Sequence, residues 1–276
     1  ARTGRPSVSE PNLLNIPRVS GAAGQINPVR ECFPPREGYR NYYFDYEAME
    51  VAIFGLESGD SRITDAYVAG KSLHHYMAEQ IFEQYHEDPA FWKQVSKAVT
   101  FGHLYGQGVS ALAFKLKVTE STAKEWKYKY GEEFPTVYQY QDACKEQLKA
   151  VGYVADVYGR RYSIPVGQAY KAVNALIQGS CAQIFKTAML QVDAFLLAFD
   201  KKHGTNSNML LPVYDEVQME SDCLFKAPQA EMEMINGVMK SMIDIPQMMK
   251  RGFALRVDPC YTDLNWANKV KIKLEK

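Results

Sequence analysis

The sequence predicts an α+β fold in which a small antiparallel sheet, backed by helices, is interrupted by an all-helical insertion. Three observations lead there. Short apolar, strand-like runs end at Asp45 and flank Asp215, far apart in the chain. Between them, from about 47 to 150, apolar residues recur at helical rather than strand spacing. After a turn at Gly159, Val173, Ile177, Ile184, Ala188, Val192 and Phe195 mark one face of a single long helix that should pack on a sheet.

In chain order, the first forty residues are rich in Pro, Gly, Ser and Arg and read as extended loops and short strands. Residues 42–45 read as the end of a buried strand. Helices are expected at about 73–85, at 90–105, behind a capping box of Thr122 and Glu125, and at about 138–151. The long helix covers about 169–199. Residues 209–214 and 217–221 then form a β-hairpin whose tight turn carries both Asp215 and Glu216. A helix at about 230–242 and a last strand at about 253–257 complete the pattern.

With 276 residues and 46% hydrophobic content, the chain can bury a substantial core. It contains no run of about eighteen uncharged apolar residues, and residues 1–6 lack the apolar centre of a signal peptide. A soluble, cytoplasmic protein without a membrane partner is expected, in a bacterium or a virus-infected cell. The five cysteines are widely spread with no CxxC pair, and read as reduced and structural. Lys plus Arg and Asp plus Glu both number 32, so any contact with nucleic acid must come from local basic patches rather than net charge.

Two features carry chemistry. Adjacent strands can bring Asp45 and Asp215 together, and close carboxylates repel unless a cation lies between them. Hard oxygen donors without His or Cys select magnesium, and paired magnesium ions suit phosphoryl transfer. Either Asp by itself also fits a turn cap. The second feature is the helix holding Lys93, Lys97, Phe101 and Tyr105, spaced every four residues along one face. Two cations followed by two aromatics suit a triphosphate and a stacked base. An amphipathic surface helix explains the same spacing equally well.

These segments resemble, in order and form, the motifs of family A (DNA polymerase I-like) polymerases. Phe44-Asp45-Tyr46-Glu47-Ala48-Met49-Glu50 resembles DYSxIE, the helix resembles RxxxKxxxFxxxYG, and Val213-Tyr214-Asp215-Glu216 resembles VHDE. Thr3-Gly4-Arg5 with Pro11-Asn12-Leu13-Leu14-Asn15-Ile16-Pro17 is similar to TGR…PNLQNIP. Gly152-Tyr153-Val154 with Gly159-Arg160-Arg161 is similar to GYVETxxGRR, and Asn174 with Gln178-Gly179 to INAPxQG. The similarity runs down to Asn265-Trp266.

The resemblance implies a palm at 1–59 and 166–276 around helical fingers at 60–165, and an enzyme adding deoxynucleotides to a primer end. Asp45 and Asp215 would hold two Mg2+ ions, helped by the Tyr46 carbonyl, with Glu216 close by. Lys97 and Lys93 would meet the deoxynucleoside triphosphate, His74 its phosphates, and Phe101 its sugar and base. Phe at that position goes with rejection of dideoxynucleotides in the family, and Tyr with their acceptance. Tyr105 would lie beside the templating position, and Glu50 would block a ribose 2′-hydroxyl. Arg5, Asn12, Arg160, Asn174, Gln178 and Tyr214 would contact primer–template DNA.

Departures from the family pattern are Lys93 and Tyr170 for Arg, Tyr214 for His, and Leu14 for Gln, which suggest a divergent branch with a virus-encoded enzyme among the options. Nothing resembles a thumb or an exonuclease, so a truncated chain, or a second polypeptide carrying them, is expected. A single-subunit RNA polymerase and a catalytically silent DNA-binding subunit are the alternatives. Glu50 argues against the first, and both acids with Lys97 against the second.

Overall fold

The computed structural model describes residues 3–16 and 28–274. Pro17 of the N-terminal motif, and that part of the expected loop region up to residue 27, lie outside the described residues. In chain order the elements are β1 (Arg40–Tyr46), α1 (Met49–Ser58), α2 (Ser61–Val68), α3 (Leu73–Ile81), α4 (Pro89–Leu104), α5 (Val109–Leu116), α6 (Glu120–Glu133) and α7 (Thr136–Val151). The hairpin β2 (Tyr153–Ala155) and β3 (Arg161–Ser163) leads through a short 3-10 segment (Val166–Lys171) into α8 (Ala172–His203). Then come β4 (Ser207–Val213), β5 (Glu216–Ser221), α9 (Cys223–Lys226), α10 (Glu231–Ile243), α11 (Pro246–Met249), β6 (Val257–Thr262) and β7 (Val270–Lys271). The chain forms two compact units, one of Thr3–Glu47 with Ala182–Lys276, the other of Ala48–Cys181, so that the boundary falls inside α8.

The first unit is an antiparallel sheet of order β4-β5-β1-β6-β7. The aromatic run of β1 favours a strand and gives it two unlike faces. On one face Tyr42, Phe44 and Tyr46 join Val217 and Met219, all at most 2% exposed. Each such side chain contributes roughly 1.5–3 kcal/mol of burial. The hydroxyls are satisfied by α10: Tyr42 donates to Glu231 Oε1 at 2.6 Å and Tyr46 to the Met242 carbonyl at 2.5 Å. Gly237 lets α10 approach α8, since a Cβ there would lie 2.0 Å from the Phe195 ring.

The other face carries Asn41, Tyr43 and Asp45 of β1, paired with Glu220, Gln218 and Glu216 of β5. This polar face is covered, and Asn41, Glu216, Gln218 and Glu220 are all buried. Leu14, Tyr43, Val213 and Trp266 form a small apolar cluster over it.

In the second unit, Asp60 caps α2 through the amides of Arg62 and Ile63 and accepts the Thr136 hydroxyl at 2.6 Å, which ties the start of α7 to α2. His103 at the end of α4 stacks on Tyr130 of α6, ring centroids 4.5 Å apart, and its Nε2 donates to the Lys127 carbonyl at 3.1 Å. In the β2–β3 turn, Asp156 Oδ1 accepts from the Tyr158 and Arg160 amides and Oδ2 from the Tyr162 hydroxyl at 2.7 Å.

The α+β class and the inserted helical block are as expected, and so is the long helix. Four local expectations are corrected. No strand precedes Arg40 among the described residues, where 3-10 turns stand instead. Helix α3 stops at Ile81 because Phe82 turns extended, and 83–86 continues as a 3-10 turn. The cap of α6 is Thr119, whose hydroxyl accepts from the Thr122 amide at 3.1 Å, so the helix begins one residue after Thr119 and Thr122 lies inside it. The last long strand is Val257–Thr262 rather than 253–257. Pro259 argues against a strand in sequence, while the alternating Phe253 and Leu255 are buried outside the ladder.

Candidate active site

In the first unit the acids gather at the strand ends. Tyr214 and Asp215 form the two-residue turn between β4 and β5, with Tyr214 at φ +59°. Glu216 is the first residue of β5 and not part of the turn, contrary to expectation. The Tyr46 amide donates to the Asp215 carbonyl at 3.3 Å, which sets the turn against the end of β1. Asp45 lies directly opposite Glu216 on one side and Asp258 of β6 on the other. Directly paired residues share a sheet face, so three carboxylates stand in a row across β5, β1 and β6. They line a pocket of about 310 Å³ together with Arg30, Tyr43 and Lys269.

Like charges so placed repel, and the flanking acids are compensated. Lys269 Nζ meets Glu216 Oε2 at 2.5 Å and lies 4.0 Å over the Tyr43 ring. Gln218 donates to the other Glu216 oxygen at 2.8 Å. Lys271 meets Asp258 at 2.8 Å. Asp45, half-buried, sits between two acids that each have a lysine. Sequence reasoning missed Asp258, Lys269 and Lys271. The Val257-Asp258 alternation was a local signal for the first; the lysines left none.

Does this donor set suit magnesium? Among the described residues no three His, Cys, Asp or Glu side chains converge as a complete cage. Magnesium is usually held by one or two carboxylates, the remaining positions going to water and substrate phosphate. Asp45 and Asp215 are hard oxygen donors of that kind, carried on a strand end and a turn that the Tyr46–Asp215 backbone bond holds together, and their chemistry fits the ion.

Also in the first unit, the Tyr214 hydroxyl donates to Asn15 Oδ1. Asn12 Oδ1 accepts from the Leu14 amide at 3.2 Å, a bond that uses the oxygen and not the amide nitrogen. Arg5 is half-buried.

In the second unit Ala48, at φ +47°, starts α1 and puts Glu50 in its first turn. Helix α4 is opened by Asp88, which accepts from the Phe91 amide at 3.0 Å, with Pro89 in the first turn. Its one face carries Lys93, Lys97 and Phe101, with Tyr105 at the cap; the Phe101 and Tyr105 rings stack at 5.4 Å. His74 of α3 joins them, 5.8 Å from the Phe101 ring. Burial, and after it Lys97 and Lys93, push His74 down to about 4, and its Nδ1 is buried with no hydrogen-bond partner. The two lysines add to the penalty that burial puts on its charged form.

Arg160 stacks over Tyr162 at 5.3 Å, and Gly179, next to Gln178 on α8, abuts the Tyr162 hydroxyl. Asn174 Oδ1 is buried without a partner. The expected residues are therefore divided between the units: Asp45, Tyr46, Asp215 and Glu216 with Arg5, Asn12 and Tyr214 on the first, and on the second Glu50 of α1, the cations and aromatics of α3 and α4, and Arg160, Asn174 and Gln178 around α8 and the β2–β3 hairpin.

A profile of the family described as DNA polymerase family A matches residues 1–267, and the chain belongs to that family. Among curated relatives, it is 33% identical over 272 residues to DNA polymerase I of Mycobacterium leprae, and 31% identical over 268 residues to that of Geobacillus stearothermophilus. These alignments cover 92% and 93% of this chain but 29% and 28% of the relatives' length. The chain thus spans under a third of either relative. A solved structure of the polymerase domain of Pol1 from M. smegmatis, in complex with DNA primer-template and dNTP, superposes with a TM-score of 0.81 at 30% identity, covering 97% of this chain and 46% of that one.

Proposed function

We propose that this chain performs template-directed DNA synthesis, adding deoxynucleotides to a primer 3′ end by two-metal nucleotidyl transfer with release of pyrophosphate. The observation that carries it is the meeting of the end of β1 with the β4–β5 turn on a family A fold, where Asp45 pairs with Glu216 and the next residue, Tyr46, bonds the Asp215 carbonyl. The primer 3′-oxygen attacks the α-phosphorus, the bond to the β-phosphate oxygen breaks, and the hydroxyl proton passes to solvent. Two Mg2+ ions, when bound, supply activation of the attacking oxygen and neutralisation of the leaving pyrophosphate. Asp45 and Asp215 would hold them with the Tyr46 carbonyl, while Lys269 and Gln218 hold Glu216 in place.

On the second unit Lys97 and Lys93, with His74 neutral beside them, neutralise the triphosphate, Phe101 packs on the sugar and base, and Tyr105 stands at the templating position. Glu50 excludes a 2′-hydroxyl. Asn174 and Gln178 would serve as minor-groove contacts, where donors test base pairing without reading sequence. Arg5, Asn12, Arg160 and Tyr214 contribute primer–template contacts. The names palm (1–59 and 166–276) and fingers (60–165) follow from the motifs; both boundaries fall inside the second compact unit.

The test is primer extension with deoxy- and ribonucleotides, with and without magnesium, using the parent and the variants Asp45→Asn and Asp215→Asn. The parent should extend with deoxynucleotides and magnesium only. Each variant should lose several orders of magnitude in incorporation while still binding primer–template. Parent-like extension by either variant overturns the metal-ligand assignment.

A further inference from the structure

Tyr170 is an exposed aromatic that the roles above leave unused. It stands at 51% exposure in the 3-10 segment before α8. An exposed ring is ordinary; a braced one is not. Gly106, at φ +65°, lies against it so closely that a Cβ there would sit 3.2 Å from Tyr170 Cδ2 and 3.3 Å from its Cβ. Gly106 immediately follows Tyr105, whose ring stacks on Phe101. The Lys171 ammonium lies over the Tyr170 ring, 5.6 Å from its centroid, and is tethered to Gln168 at 2.8 Å. Relative to the family motif, the chain has exchanged a cation for a ring at this position and kept a cation next door.

A fixed, half-exposed ring with a lysine over it and an adjoining pair of stacked aromatics is the composition of a surface that receives bases of single-stranded nucleic acid. We propose that Tyr170 is a stacking platform for an unpaired base of the template strand, ahead of the position served by Tyr105. This rests on the proposed polymerase function. Stacking on the ring face is indifferent to base identity, as a copying enzyme requires, whereas an Arg at the same place would bind backbone phosphate instead.

The experiment compares binding to a blunt duplex and to a primer–template with a five-nucleotide 5′ template overhang, for the parent and for Tyr170→Phe, Tyr170→Leu and Tyr170→Arg. Leu keeps the packing on Gly106 but has no π face. The parent and Tyr170→Phe should prefer the overhang substrate about ten-fold over blunt duplex, and Tyr170→Leu should lose most of that ratio. Tyr170→Arg should retain overhang binding with a steeper salt dependence. In the same substrates, 2-aminopurine placed at successive unpaired template positions should show quenching confined to one position in the parent and Tyr170→Phe, relieved in Tyr170→Leu. An unchanged ratio and an unchanged quenching profile in Tyr170→Leu overturn the proposal and leave the polymerase reading intact. Failure of the parent to bind either substrate overturns both.

Discussion

At the scale of single residues, the acid row shows how the sheet carries a concentration of charge. Glu216 is 5% exposed at its side chain and meets Lys269 across 53 residues of sequence. Removing one partner of a buried pair leaves the other uncompensated, at a cost of about 3 kcal/mol. Lys269→Met should lower the urea midpoint accordingly, and adding Glu216→Gln should recover part of the loss. A strictly additive double variant would show that the two side chains do not interact. Phe101, stacked on Tyr105, supports a second expectation: Phe101→Tyr should relax discrimination against dideoxynucleotides in a terminator-incorporation assay, and an unchanged ratio would place the ring away from the sugar. Both aromatics were legible in the sequence because four-residue spacing is local. Lys269 was not, because an ion pair closed by tertiary folding has no periodicity to read.

At the scale of elements, glycines mark where two elements touch. A Cβ on Gly179 would lie 2.0 Å from the Tyr162 hydroxyl, which itself holds Asp156 in the β2–β3 turn. Ala should gain about 1 kcal/mol of helix propensity in α8, but Tyr162 is 7% exposed and anchored, so it has little room to yield. Overpacking of about 1–3 kcal/mol should win, giving a net lower denaturation midpoint for Gly179→Ala and faster amide exchange in the hairpin. Equal or greater stability would mean that Tyr162 moves freely. The Gln178-Gly179 motif was visible in sequence; its steric reason was not, since the partner ring lies in another element. The same limit explains the misplaced last strand: alternation of Phe253, Leu255 and Val257 shows which side chains go inward, and only the partner strand decides where hydrogen bonding begins.

At the scale of the whole molecule, acidic and basic residues balance, so stability against pH is decided by buried groups rather than net charge. Burial, then Lys127, pushes His103 down to about 4, against a smaller upward contribution from its bond to the Lys127 carbonyl; His74 is pushed to the same level. Unfolding returns both to about 6.5, so the unfolded chain binds more protons below that pH. Stability should therefore be level above about pH 6.5 and fall steadily down to about 4. His103→Phe, which keeps the ring beside Tyr130, should flatten part of that slope in denaturant titrations at successive pH values. An unaltered slope would assign the loss to His74 and the carboxylates instead.

The lysines of the acid row have a bearing on ion choice. Glu216 and Asp258 spend oxygens on Lys269 and Lys271, so both acids that flank Asp45 are already engaged. A large cation that wants seven or eight oxygens would have to strip those ion pairs, whereas a small octahedral one, content with two carboxylates and its own water, need not. On the proposed function, coordination number is thereby a filter set by side chains that never touch the metal: calcium should compete poorly with magnesium in the parent and better once Lys269 is replaced.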